Sequence, residues 1–256
     1  MTLLHSVLLG IVEGVTEFLP ISSTGHLILA NELLGIGQTE FAKSFEIIIQ
    51  LGAISAVVAL YWRSFLNAKN LKKILVGFIP TGIIGFALYA VVKTYLLESE
   101  NLVLWTLLLG GIAFIAFEYW HKESPEASDG IASVTYKQSL FIGLCQSVAM
   151  IPGVSRSAAT ILGGLLAGLK RHTVVEFSFL LAVPTMLAAT GLDLAKNAGS
   201  FSMDQFSALS VGFIVSFLVA LASIKFLLRF IKTHSFVPFG IYRILLAGVF
   251  FFWFIA

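Results

Sequence analysis

Glu13 and Glu17 stand four residues apart in a stretch of chain that is otherwise largely apolar. On a helix that spacing puts both carboxylates on one face. Held together at low dielectric, such a pair can take up and release a proton near neutral pH, the requirement of general acid–base catalysis. It also offers hard oxygen ligands to a divalent cation, whose remaining positions phosphate and water would fill. A polar seam between helices would need the carboxylates for neither purpose. Pro20 breaks the helix just beyond Glu17, and Ser22, Ser23 and Thr24 follow where a new helix would begin. One hydroxyl suffices for an N-cap, so three in succession exceed what capping requires. His26 falls just inside the second helix.

A second break, IPGVSRSAAT at 151–160, carries the complementary charge. Pro152 and Gly153 end one half-helix; Ser155, Arg156 and Ser157 open the next, with Thr160 one turn further on. A helix N-terminus presents free backbone N–H groups and the positive end of the helix dipole, which suits an anion. Arg156 adds a planar, permanently charged fork that matches phosphate oxygens. An arginine inside a membrane needs an anionic partner, and Glu17 and a bound phosphate are both candidates. A bare Arg–Glu tie between the two breaks would leave the hydroxyls on both surplus.

The elements that must hold these groups are membrane helices. Of 256 residues, 58% are hydrophobic and 12% charged, and the mean hydropathy is +0.95, against roughly 25% charged residues in soluble domains. The apolar runs are continuous, which indicates helices and not a barrel. No cleavable leader is expected at MTLLHSVLLG, so insertion should rest on the spans themselves. The single Cys145 excludes an internal disulfide and a thiolate metal cluster and reads as a small packing residue. A net charge of +2 gives no reason to expect nucleic acid as a partner. Neither a Walker A loop, HExxH nor GxSxG occurs.

Six stretches are long enough to span: 47–62 with its flanks, 74–92, 102–120, 177–195, 206–228 and 237–256. Regions 2–35 and 138–169 are apolar but broken in the middle, with halves of about 14 to 18 residues that fit re-entrant hairpins better than full crossings. The polar connector 122–136 divides the chain into two near-equal halves, 1–121 and 137–256, within one membrane domain. Those halves are related. Shifted by 133 residues, Gly10, Val15, Ser22, Ile28, Leu29, Leu33 and Gly35 meet identical residues at Gly143, Val148, Ser155, Ile161, Leu162, Leu166 and Gly168. The expected fold is all-α and polytopic, an inverted-topology repeat in which each half is a broken re-entrant hairpin plus three transmembrane helices. Three spans per repeat reverse the second, and the charges agree. With the N-terminus outside, Arg63, Lys69, Lys72, Lys73, Lys122, Lys137, Lys170, Arg171, Arg229 and Lys232 lie inside. Only Lys43, Lys93 and Lys196 lie outside, beside Glu40, Glu98, Glu100 and Asp204. The broken tips should then meet near the bilayer midplane. Glu46 and Glu176 are expected to satisfy backbone groups freed at the breaks, and Asp193 and Arg243 to pair with loops or lipid headgroups.

EGVTE at 13–17 followed by FLPISSTGH, PGVSRSAAT at 152–160 and FEIIIQLGAI from Phe45 resemble the signature regions of bacterial undecaprenyl-diphosphate phosphatases, the UppP/BacA family, and the resemblance extends over essentially the whole chain. It implies removal of the terminal phosphate from undecaprenyl diphosphate, yielding the monophosphate carrier for peptidoglycan synthesis, and bacitracin resistance on overexpression. It also implies a divalent cation, Mg2+ or Ca2+, held by Glu13 and Glu17, with Glu17 the stronger acid/base candidate. Ser23 is the implied nucleophile, unless a water activated by glutamate attacks instead, and Arg156 the clamp on the transferred phosphoryl group. His26 joins the catalytic set, while Ser22, Thr24, Gly153, Ser155, Ser157 and Thr160 are expected to line the phosphate pocket. The implied location is the inner membrane, with both termini and the active site facing outward, and the chain is a candidate homodimer. A lipid transporter is the competing reading, since inverted broken helices also build alternating-access carriers. The other membrane phosphatase class, with a histidine nucleophile, is disfavoured because no His follows Ser155-Arg156 at a suitable spacing.

Overall fold

In the computed structural model residues 1–37, 39–91, 100–197 and 205–255 are described. Ten α-helices account for most of them: α1 Leu3–Thr16, α2 Ser23–Leu33, α3 Glu40–Leu66, α4 Ala68–Val91, α5 Glu100–Trp120, α6 Tyr136–Ser147, α7 Arg156–Leu166, α8 Arg171–Asn197, α9 Phe206–Phe230 and α10 Val237–Ile255. Among the described residues there is no strand, only an isolated parallel bridge between Ser128 and Leu169. Five helices, α3, α4, α5, α8 and α9, are long and apolar enough to cross a membrane, so the chain is a multi-pass membrane protein. The sixth expected span, α10, is a helix of 19 residues, although its described side chains form a shorter apolar stretch, Val237–Phe252. Of the charges weighed above, Lys93, Glu98 and Asp204 lie outside the described residues, as do the side chains of Glu100, Asp193 and Lys196.

Both breaks fall where the sequence places them, and the chemistry of proline explains the first. Pro20 has no N–H to give the carbonyl of Thr16, so α1 stops at Thr16 with Glu17 as its C-cap. The chain turns through 17–22 and restarts at Ser23, with the Ser22 hydroxyl accepting from Gly25 N at 3.3 Å. In the second half, α6 starts on a reciprocal Thr135/Gln138 capping box and ends at Ser147. A 3-10 turn, Val148–Met150, and the Pro152-Gly153 turn follow before Ser155 caps α7. The half-helices have 14, 11, 12 and 11 residues, the first at the lower end of the expected 14 to 18 and the other three shorter. Capping consumes the difference, because the turn residues on each side of the prolines leave the helix to satisfy its ends.

α8 and α3 form the centre. Of their apolar windows 56% and 44% are buried, against 22–33% for α4, α5 and α9. α3 packs on α8, α1 on α9, α6 on α4, and α5 on α10. Small residues permit the closest of these approaches: a Cβ on Gly14 of α1 would stand 2.7 Å from the carbonyl oxygen of Ser216 on α9, and one on Gly143 of α6 would collide with the carbonyl of Gly77 on α4. Cys145 packs against Gly163 in the seam between α6 and α7. The main core joins Phe18 and Ile21 of the first break to Ile161 and Leu165 of α7 and to Phe177, Phe179 and Leu180 of α8. Phe18 meets Phe179 edge-on, with ring centroids 5.3 Å apart, so the first break is seated in apolar packing as well as by its polar groups.

At one rim the start of α8 is clasped to the ends of two other spans. Arg171 forms a two-pronged ion pair with Glu118 of α5, both bonds 2.7 Å. Glu118 also accepts from the backbone N–H of Phe236, just before α10, at 2.8 Å, and Glu123 accepts from Arg171 N. The connector between the halves is docked there too: Ser128 N donates to the Gly168 carbonyl and Lys170 N to the Ser128 carbonyl, and Lys170 pairs with Asp129 at 3.1 Å.

Candidate active site

Glu17 occupies the junction of the two breaks. Its backbone N–H bonds to the Glu13 carbonyl at 2.9 Å, so the two carboxylates keep the helical register that the spacing implied. One oxygen of Glu17, Oε2, accepts from Ser23 Oγ at 2.5 Å. The other, Oε1, accepts from Arg156 Nη2 at 2.6 Å. The Glu17 side chain is 5% exposed and that of Arg156 14%, a pair withdrawn from water. Arg156 also donates from Nη1 to the carbonyl of Ser178 on α8 at 3.0 Å, and its guanidinium lies over the Phe18 ring. Its Nε is buried and unpartnered, a free donor at the base of the fork.

Glu13 is completely buried, and neither carboxylate oxygen has a hydrogen-bond partner. Glu17, Glu46 and Arg156 are all near enough for their charges to act on it. Two orphaned oxygens beside a second carboxylate are what an oxygen-loving cation needs, since a buried charge without a partner is strongly disfavoured. Among the described residues no group of three or more His, Cys, Asp or Glu side chains is disposed to hold a metal alone. The donor set therefore fits Mg2+ or Ca2+ sharing its coordination with phosphate and water, and does not fit a closed structural site.

The remaining sequence candidates divide. The hydroxyls of Ser22 and Ser155 are N-caps, accepting from Gly25 N and Ala158 N. Ser157 Oγ donates to the carbonyl of Phe18 at 2.8 Å and so ties the second break to the first. Thr160 Oγ1 contacts Ser178 Oγ at 2.6 Å and turns toward α8. Thr24, partly exposed, stands beside Ser23 in the first turn of α2. Ser22 holds a φ of +73°, the only positive value for a non-glycine residue among those described, a conformation disfavoured for an L-residue and concentrated at functional sites. Its carbonyl accepts from His26 Nδ1 at 2.7 Å. In the neutral ring Nδ1 then carries the proton, and Nε2 accepts from Tyr242 OH at 2.8 Å. His26 is thus committed to α10 and is not hydrogen-bonded to Ser23, whose partner is Glu17.

Gly153 sits at φ +84°, and a Cβ there would fall on Thr106 Oγ1, which itself donates to the Pro152 carbonyl at 2.7 Å. Gly153→Ala is expected to destabilise the protein by on the order of 2 kcal/mol through left-handed strain plus the clash, read as a lowered unfolding temperature in detergent.

Three expectations change. Glu46 bonds not to freed backbone but to Asn31 Nδ2, at 2.6 Å, and Glu176 to Tyr61 OH at 3.2 Å, with His172 at 3.7 Å. Side-chain donors reach them first. Arg243, expected among loops or headgroups, is 1% exposed, and its guanidinium donates to carbonyls at both breaks and on α5. An arginine in an apolar helix signals an internal partner, and the rule that picked out Arg156 applies equally here. Tyr242 and Ser178 gave no such signal, because an aromatic residue and a serine in a span are unremarkable.

The model of the family described as bacitracin resistance protein BacA matches residues 6–249. The chain is 54% identical to an undecaprenyl-diphosphatase of Sulfurihydrogenibium sp. (strain YO3AOP1) over 254 residues, covering 99% of this chain and 100% of that one. It is 52% identical to an undecaprenyl-diphosphatase of Wolinella succinogenes over 99% of this chain and 98% of the relative. For an undecaprenyl-diphosphatase of Aquifex aeolicus the identity is 50%, with 98% of each covered. A family match over residues 6–249, which includes both breaks, together with relatives about half identical over nearly the whole chain, makes this chain a member of the bacitracin resistance protein BacA family.

Proposed function

We propose that this chain is an undecaprenyl-diphosphatase, hydrolysing undecaprenyl diphosphate to undecaprenyl phosphate and inorganic phosphate. The observation that carries the chemistry is Glu17 held between Ser23 Oγ and Arg156 Nη2. A serine is a weak nucleophile until an adjacent base takes its proton, and Glu17 is in hydrogen-bonding reach to do so. Arg156 and the first turn of α7 bind the terminal phosphoryl group and offset the negative charge that spreads over its oxygens during transfer. Ser23 Oγ attacks the terminal phosphorus as Glu17 accepts its proton, the bridging P–O bond breaks, and undecaprenyl phosphate leaves. Glu17 passes that proton to the departing phosphate oxygen and, a carboxylate again, takes a proton from the water that attacks phosphorus and frees phosphate as the Ser23 Oγ–P bond breaks. In the alternative route Ser23 only orients a water that Glu17 deprotonates. Glu13 and Glu17 would hold a divalent cation, which when bound supplies charge to the pyrophosphate oxygens.

The surrounding architecture is read as an inverted-topology repeat over 1–121 and 137–256, joined by 122–136 in a single membrane domain. Matched features in the two halves support it. α1 packs on α9 as α6 packs on α4, and α2 adjoins α1 as α7 adjoins α6. The hairpins also end alike: Gly35 and Gly168 have positive φ, and Ile36 N bonds to Asn31 O as Leu169 N bonds to Gly164 O, each pair offset by 133 residues. On this reading both termini lie outside the inner membrane and the site opens outward, which the uneven distribution of Lys and Arg supports.

Purified protein is expected to release phosphate from undecaprenyl diphosphate, to lose that activity with a chelator and to regain it with Mg2+ or Ca2+. Glu13→Gln is expected to raise the cation concentration for half-maximal activity by at least roughly tenfold. Protein that carries the lipid monophosphate across vesicles but liberates no phosphate would instead establish the transporter reading.

A further inference from the structure

Arg243 has no acidic partner among its hydrogen bonds. On α10, deep in the protein, its guanidinium donates only to backbone carbonyls: Nε to Leu107 at 3.3 Å, Nη2 to Thr106 at 2.9 Å and Gly153 at 3.1 Å, and Nη1 to Pro20 at 3.4 Å. Two of these belong to α5. The other two are the proline of the first break and the glycine of the second, 133 residues apart in sequence. These carbonyls are of the kind a broken helix leaves without an N–H, and unsatisfied they are costly in lipid. Room for the group is provided by Gly110, where a Cβ would overlap Nη2. Thr106 reinforces the same junction, its hydroxyl donating to the Pro152 carbonyl.

We propose that Arg243 is a positioning residue for the diphosphatase reaction: by gripping the Pro20 and Gly153 carbonyls at once, it fixes the two breaks at the separation where Glu17 and Ser23 of one face Arg156 of the other. The inference rests on the function proposed above. Only a planar fork of five donors can reach four carbonyls in different directions; a lysine ammonium, with three donors on one nitrogen, cannot. Arg243 touches neither Glu17, Ser23 nor Arg156 by hydrogen bond, so its effect is on alignment. Small misplacements of reacting groups lower turnover by about 10²-fold while leaving remote binding contacts in place.

The test uses full-length wild-type, Arg243→Gln and Arg243→Lys proteins, each checked for a single folded species by size exclusion in detergent. Phosphate release is measured across undecaprenyl diphosphate concentrations, and backbone hydrogen exchange is followed by mass spectrometry. Both variants are expected to lose about 10²-fold in kcat with KM within about fivefold of wild type. Exchange should accelerate at 17–24 and 151–157 and stay unchanged at the rim formed by Glu118 and Arg171, a pattern of local and not global opening. Folded variants with wild-type kcat, or with exchange raised everywhere alike, would overturn the proposal. If neither variant folds, Thr106→Val decides: a fall in kcat of about fivefold or more at constant KM supports the junction, and unchanged kcat refutes it. Failure of the wild type to release phosphate would count against the diphosphatase itself, and the exchange pattern would then judge the Arg243 grip on its own.

Discussion

Arg156→Lys is expected to lose about 10³-fold in phosphate release, at the lower end of what a transition-state arginine contributes to phosphoryl transfer. Charge is conserved in this variant, so the loss isolates geometry. Arg156 uses Nη2 for Glu17 and Nη1 for the Ser178 carbonyl, and keeps Nε free. Lysine can replace one of those bonds and cannot hold the others in plane. Arg156→Ala adds a second effect, because Glu17 is then buried without a cation, and breaking such a pair destabilises by about 3–5 kcal/mol. The two variants together separate catalysis from folding: Lys should unfold near the wild-type temperature and still be inactive, whereas Ala should fail on both counts. A Lys variant within tenfold of wild-type turnover would remove Arg156 from the phosphoryl clamp.

Glu17→Gln is expected to reduce turnover by about 10²–10⁴-fold, the range for loss of a positioned general base. The amide keeps the shape of the carboxylate but cannot take a proton from Ser23. Ser23→Ala then distinguishes the two routes. If Ser23 attacks phosphorus, its loss should match that of Glu17→Gln, and the double variant should be scarcely worse than either, as for residues that act as one unit. If water attacks, Ser23→Ala should retain activity within about tenfold of wild type while Glu17→Gln does not. Rapid-quench detection of phosphate bound to the protein would register the first route directly.

Much of this site was legible in the sequence for a physical reason: charged groups are so costly in apolar surroundings that Glu13, Glu17 and Arg156 could not be there by default. The breaks were legible too, because Pro20 and Pro152 cannot donate the helix bond. The division of labour among hydroxyls was not. Ser22, Ser23, Thr24, Ser155, Ser157 and Thr160 are alike in composition, yet Ser23 alone of them donates to Glu17, while Ser157 and Thr160 are turned to Phe18 and Ser178. Those choices depend on which helix lies opposite, and no local spacing encodes that. Arg243 escaped for a related reason. Its partners are main-chain oxygens from three distant segments, which carry no side-chain signature of their own.

The clasp of Arg171 with Glu118 and the Phe236 amide bears on how the lipid can leave. A carrier that exposes its cargo to each side of the bilayer in turn must pull its two halves apart at the rim it opens. Here that rim is held by a two-pronged ion pair whose carboxylate is buried and whose guanidinium is partly exposed, and parting it would leave Glu118 buried without its cation. On the function proposed above, a lipid that returns to the leaflet it came from leaves this clasp closed, whereas one handed across the bilayer at this rim requires it to part.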